Sequence, residues 1–272
     1  MINFSAIEIQ VMDLCLEVGE YINLEQSTFD RSKIEFKTGL NNMVSYVDKM
    51  AEKKLVSVLK KIIPGSGFIA EEGMRSDSQN GYVWIIDPLD GTTNFVHGLP
   101  IYAISIALAY NDKIVLGIVF EINAKEMFHS FTGSPAYCNN KEIRVSAISS
   151  LGESLLATGF PYQESKKNVA YFRTINQFLK VSNGIRRLGS AATDLAYVAC
   201  GRFEGFFEYQ LNSWDVAAGA FLVQQAGGVV TDFQGKDNFL FGREICASGK
   251  IHEEMIKIIQ MEWSQDSKQL LG

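Results

Sequence analysis

The stretch Trp84-Ile85-Ile86-Asp87-Pro88-Leu89-Asp90-Gly91-Thr92-Thr93-Asn94-Phe95 constrains this chain more than any other. Trp84, Ile85 and Ile86 read as a short buried strand. Pro88 cannot donate a ladder hydrogen bond, so the strand is expected to stop there. Asp87 and Asp90 then flank a sharp turn. Gly91, Thr92, Thr93 and Asn94 follow, with backbone N–H groups and hydroxyls. If a helical turn starts here, its amides form an anion site. Carboxylates for a cation beside amides for an anion are what metal-assisted phosphate chemistry needs. Read alone, the same residues also describe an ordinary capped strand-to-helix turn.

The flanking chain alternates helical and extended patterns. Ile7, Val11, Leu14, Val18 and Ile22 predict a helix from about Ser5 to Asn23. Phe29 to Met43 is polar and non-periodic and reads as an exposed hairpin or mobile loop. A second helix is expected from about Ser45 to Ile63, stopped by Pro64-Gly65, with Asp48 in its first turn. Gly67 to Ala70 reads as a strand ending in Glu71-Glu72-Gly73, and the polar run Gly73 to Gly81 as a loop. Ala103 to Tyr110, Ile114 to Phe120, Glu126 to Phe131 and Leu155 to Gly159 follow as strands. A helix from about Asn168 to Ser182 comes next. Gly189-Ser190-Ala191-Ala192 leads into an apolar helix, and Gly205 to Tyr209 is a strand carrying Glu208. Ser213 is expected as an N-cap with Asp215 in the first turn. The small run Ala217-Ala218-Gly219-Ala220 would let that helix pack closely. Ile245 to Ser248 is expected as the last strand, and Ile251 to about Met261 as the final helix. The expected organisation is one catalytic domain over residues 1–272, with close-packed lobes at about 1–150 and 151–272.

Composition narrows the function. Among 272 residues, 25 basic against 31 acidic side chains give a net charge of −6 and no basic cluster dominates, so nucleic acid is not an expected main ligand. The four Cys lack any C-x-x-C pairing, which fits reduced, buried thiols in a cytoplasmic protein. The three His are scattered, which favours oxygen ligands and a hard cation over zinc. No signal peptide is visible, and no apolar run approaches the roughly 18 residues of a membrane span. Glu71, Asp87, Asp90 and Asp215 each stand beside a turn or helix start. Together they read as an oxygen cage for two or more Mg²⁺ ions, which could clamp the attacking water and the leaving oxygen.

Trp84 to Phe95 resembles the first signature of the inositol monophosphatase family. Trp214-Asp215-Val216-Ala217-Ala218-Gly219 with Gly227-Gly228 resembles the second. Glu71-Glu72 and Gly184 to Ala192 are also similar, and the likeness runs in register from about Ile7 to Ile259. The resemblance implies a layered αβαβα sandwich of the α/β (α+β) class, a homodimer, and a Mg²⁺-dependent, lithium-sensitive phosphatase of small phosphomonoesters. By position, Glu71, Asp87 and the Leu89 carbonyl would hold one ion, and Asp87, Asp90 and Asp215 a second. Glu71 would also serve a weaker third. Thr92, paired with Asp48, would activate water. Gly91 and Thr92 amides would hold the phosphate, while Ser190, Ala191 and Glu208 would face the alcohol. Lys37 would lie near the metals. The loop from Glu72 to Trp84 is short compared with animal members, and Ser190 stands where some relatives carry Thr. Inositol 1-phosphate is the first expected substrate. NADP 2′-phosphate, fructose 1,6-bisphosphate, or a regulatory binding role on the same scaffold stay open.

Overall fold

The computed structural model describes residues 2–29, 32, 35–36, 43–161 and 163–269. The first half runs α1 (Phe4–Ser27), β1 (Glu35–Phe36), β2 (Met43–Val44), α2 (Tyr46–Ile62), β3 (Gly67–Ala70), β4 (Arg75–Ser76), β5 (Tyr82–Asp90), α3 (Thr92–His97), β6 (Ala103–Tyr110), β7 (Lys113–Glu121), β8 (Glu126–Phe131), β9 (Tyr137–Cys138) and β10 (Lys141–Glu142). The second half runs β11 (Leu155–Thr158), α4 (Asn168–Val181), β12 (Gly184–Arg186), α5 (Ala191–Ala199), β13 (Gly205–Tyr209), α6 (Ser213–Gln225), β14 (Val229–Thr231), β15 (Glu244–Ser248) and α7 (His252–Gln269).

Two sheets are stacked with helix pairs. An eight-stranded sheet has the order β10-β9-β8-β7-β6-β5-β3-β4, and a five-stranded sheet the order β12-β11-β13-β15-β14. In the larger sheet only β3 and β5 run parallel. In the smaller one β11 runs parallel to β12 and β13, and β15 runs antiparallel to its neighbours. Helices α1 and α2 cover one face of the large sheet, α5 and α6 fill the space between sheets, and α4 and α7 cover the far face. This is the αβαβα sandwich.

Strand β6 shows how the pattern builds the layers. Ile104, Ile106 and Leu108 point into the core under α1 and α2. Ala103, Ala107 and Ala109 point into the core under α5 and α6. Alternation assigns large side chains to one face and small ones to the other. The small face is required because α6 sits very close. A Cβ on Gly117 would lie 2.9 Å from the Ala218 carbonyl, and one on Gly219 would lie 2.5 Å from Leu195 Cβ. A third core, holding Tyr171, Phe178, Phe207 and Met255, joins α4 and α7 to the small sheet.

Several expectations change. Strand β5 does not stop at Pro88. It runs to Asp90 through a bulge: Asp87 faces Ser105 and Asp90 faces Ala103, so a three-residue step opposes a two-residue step. Pro88 sits where the ladder is already interrupted, a place that tolerates a missing N–H. The polar run Gly73 to Gly81 contains the short edge strand β4. The N-cap of α6 is Asn212, with Ser213 as its first residue. Helix α7 extends well past Met261. All four Cys are free, two of them buried and two half-buried. No helix among the described residues is long and apolar enough to cross a membrane.

Candidate active site

A cavity of about 210 Å³ opens where the large sheet meets α3, α5 and α6. Glu71, Asp87, Leu89, Asp90, Gly91, Thr92, Ser190, Ala191, Glu208 and Asp215 all line it. Backbone register explains the first acids. Ala70 on β3 is level with Ile86 on the parallel β5, so Glu71 follows beside Asp87, and its N–H donates to the Ile86 carbonyl at 3.2 Å. Without the bulge, Asp87 and Asp90 would face opposite sides of the sheet, being three residues apart. The extra residue turns both toward the cavity.

Each acid is anchored at one oxygen. Asp87 Oδ1 accepts from Leu89 N at 3.0 Å. Asp90 Oδ2 accepts from Ala192 N at 2.7 Å and Ser190 Oγ at 2.6 Å, at the start of α5. Asp215 Oδ2 accepts from Asn212 N at 2.6 Å, at the start of α6. The other oxygens of Asp90 and Asp215 make no hydrogen bond among the described residues. The turn after Glu71 is clamped from α2, where Glu52 accepts from Glu72 N at 2.7 Å and Met74 N at 3.0 Å. Burial raises the Asp87 carboxyl well above the carboxylate range, and the charges of Glu71, Asp90 and Asp215 push the same way. Burial does the same to Asp215. Burial raises Asp90 to about 6, against the hydrogen bonds from Ser190 and Ala192.

Asp48 lies behind this wall. It occupies the N3 position of α2, where Oδ2 accepts from Ser45 N at 2.8 Å and Ser45 Oγ at 2.5 Å. Its Oδ1 accepts from Thr92 Oγ1 at 2.7 Å. Burial raises its carboxyl, opposed by the Ser45 and Thr92 hydrogen bonds. Asp48 is therefore both a helix-start residue and the partner of Thr92. Thr92 opens α3 after Gly91, whose φ is +97° and which supplies no side-chain cap, and Gly91, Thr92 and Thr93 line the cavity. Asn94 Nδ2 ties this turn across the cleft, donating to the carbonyls of Ile101 at 2.7 Å and Leu188 at 2.8 Å.

The residues expected to face the alcohol are placed unequally. Ser190 lines the cavity, but its hydroxyl is occupied by Asp90 and caps Thr193 N at 3.2 Å. Glu208 is buried at the cavity, in room left by Gly159, where a Cβ would sit 2.0 Å from Oε1. Lys37 lies outside the described residues. Arg187, Asp194 and Gln210 also line the cavity and were not anticipated. Asp194 had one sequence signal, a charge inside an otherwise apolar helix.

An all-oxygen donor set fits Mg²⁺. Buried acids around one cavity, with Arg187 as the basic side chain on its wall, favour a cation if they are to ionise. Among the described residues, no three acidic, His or Cys side chains are already drawn into a closed cage.

The helix starts of this layered α/β sandwich converge on an acid-lined, oxygen-rich cavity, and the comparisons place that architecture in a family of phosphatases. The chain belongs to the inositol monophosphatase family, whose sequence model matches residues 5–264. It is 40% identical over 243 residues to a putative Nus factor SuhB from Neisseria meningitidis, covering 89% of this chain and 93% of that one. It is 38% identical over 247 residues to the fructose-1,6-bisphosphatase/inositol-1-monophosphatase of Thermotoga maritima, covering 90% and 93%. The fold matches the crystal structure of extragenic suppressor protein suhB from Bartonella henselae with a TM-score of 0.89 at 35% identity, over 94% of this chain and 98% of that one.

Proposed function

We propose that the protein hydrolyses small phosphomonoesters with Mg²⁺, inositol 1-phosphate first among them. The observation that carries this reading is the Thr92–Asp48 hydrogen bond set beside the acids of one cavity. Glu71, Asp87, Asp90, Asp215 and the Leu89 carbonyl would hold two or three Mg²⁺ ions. When bound, Mg²⁺ supplies charge stabilisation at the phosphoryl group and activation of water. Thr92 donates its proton to Asp48, which leaves its lone pairs to accept from and orient the attacking water. The amides of Gly91 and Thr92 donate to the phosphate. Ala191, the Ser190 main chain and Glu208 face the departing alcohol. Lys37 would serve the phosphate beside the metals. The reading includes lithium inhibition and a cytoplasmic homodimer, the latter checked by sedimentation equilibrium.

Arg187 on the cavity wall favours a second substrate class carrying a further anionic group, such as fructose 1,6-bisphosphate or NADP. Relatives bearing the name Nus factor support a third reading, a regulatory binding role. A panel of kcat/KM values on these phosphates, with and without Mg²⁺, separates them. Preference for inositol 1-phosphate supports the first, preference for a bisphosphate or NADP the second. No turnover on any of them with Mg²⁺ supplied favours the third.

A further inference from the structure

Helix α1 carries apolar side chains on two faces. Ile7, Val11, Leu14, Val18 and Ile22 are buried in the core. On the opposite side Ile9, Leu16 and Leu24 are 57%, 47% and 71% exposed. They recur at seven- and eight-residue steps, two helical turns apart, so they share one stripe about 22 Å long. A helix that only covers a core keeps that face polar. Beside the stripe a groove of about 520 Å³ opens between α1 and the end of β7. Leu16, Gly19, Leu24, Phe120 and Ile122 form its apolar walls. Gly19 lets the Phe120 ring lie against the helix backbone, since a Cβ there would meet Phe120 Cε1 at 2.6 Å.

The charge along this helix has one sign. α1 holds no Lys or Arg, and Asp13, Glu17 and Glu20 stand exposed on it. None of the three has a hydrogen bond or ion pair among the described residues. Asp13 and Glu20 alternate with the three apolar side chains along the stripe. The other acids of α1 are occupied, Glu8 by His129 and Glu25 by the Tyr46 hydroxyl. One basic residue, Lys125 at the β7–β8 turn, stands on the strand-side wall of the groove.

Apolar anchors two turns apart and flanked by acids complement an amphipathic helix with apolar residues at the same step and Lys or Arg beside them. The same acids repel nucleic acid and anionic lipid. They also disfavour a second copy, because α1 laid on α1 about a two-fold axis sets acid near acid. We propose that the outer face of α1 is a docking groove for a basic amphipathic helix of a partner protein. The groove and the acid-lined cavity share no residue, so the proposal stands apart from the phosphatase reading.

The test uses the full chain and a fluorescein-labelled synthetic helix with leucines at seven-residue steps, lysines beside them, and alanine and glutamine elsewhere. Fluorescence anisotropy should show saturable binding. Leu16→Ser and Leu24→Ser should each weaken it at least about 10-fold. Glu20→Lys should weaken it several-fold at low salt, and the difference should shrink as salt is raised. All three positions are exposed and outside the cavity, so melting temperature should stay at the wild-type value. A helix with glutamate in place of lysine should not bind. The proposal is overturned if wild type does not bind the basic helix, or if the leucine variants bind it equally. It is equally overturned if a peptide of the same composition with scattered leucines binds as well, which is charge adhesion alone. Two further arms assign the groove elsewhere and overturn it too. One is self-association in sedimentation velocity that Leu24→Ser abolishes. The other is co-sedimentation with phosphatidylcholine–phosphatidylglycerol vesicles that the same change abolishes.

Discussion

Thr92 Oγ1 donates to Asp48 Oδ1 across 2.7 Å, joining residues that lie 44 positions apart on α3 and α2. The carboxylate is held from its other side by Ser45, so the threonine hydroxyl is aimed by a rigid helix start. Thr92→Ala should lower kcat by about 10²–10⁴-fold while KM changes little. Thr92→Ser, which keeps the hydroxyl, should recover much of the loss. Steady-state kinetics at saturating Mg²⁺ reads both.

Glu52 is not itself an expected metal ligand, yet it clamps the turn that carries Glu71. Glu52→Gln removes one acceptor from that clamp. Loss of such a supporting contact typically weakens metal affinity about 10–100-fold. The Mg²⁺ concentration for half-maximal activity should rise accordingly, while kcat at saturating Mg²⁺ stays within a few-fold of wild type.

Gly91 adopts φ +97°, and a Cβ there would lie 3.0 Å from the Ile101 carbonyl and 3.3 Å from that of Gly189. Gly91→Ala should therefore cost about 1–3 kcal/mol of stability. It should also shift the backbone amides of Gly91 and Thr92 at the cavity wall. Urea unfolding reads the first effect, and weaker competitive inhibition by inorganic phosphate reads the second.

His129 Nδ1 lies 2.8 Å from Glu8 Oε1, pinning α1 to β8. Burial disfavours the imidazolium, but Glu8 and the Asn139 carbonyl outweigh it and raise the histidine above its ordinary 6.5. A raised folded-state value means the stabilisation is complete below the unfolded pKa and lost as pH rises through the folded one. Glu8→Gln should cost about 1.5–3 kcal/mol near pH 6. The difference from wild type should shrink steadily toward about pH 9. Urea titrations across that range check the sign.

Much of this fold was legible because apolar runs ended at turn-forming residues. Gly67 to Ala70 and Gly205 to Tyr209 have the expected bounds. The fate of Pro88 was not legible, because a bulge exists only relative to the partner strand, and the Ser105 and Ala103 register cannot be read locally. Asp87, Asp90, Asp215 and Thr92 stood out through their turns and the resemblance. Glu52 did not, since an acid on an amphipathic helix normally faces solvent. Asp194 was overlooked because helix α5 reads as plain core until the cavity beside it is seen. Ser190 shows the reverse: it lies at the site as expected, but its hydroxyl braces Asp90.

The account stands on carboxylates that act only through a divalent cation, and one titration tests that directly. Phosphate release from inositol 1-phosphate is followed against Mg²⁺ for wild type and for Asp90→Asn, which keeps the side chain's shape and an oxygen for Ser190 and Ala192. Wild-type release should rise from background to saturation with Mg²⁺ and vanish in EDTA, and the variant should stay at least about 10²-fold lower at every concentration. Undiminished release in EDTA, or an Asp90→Asn curve that overlays wild type, would contradict it.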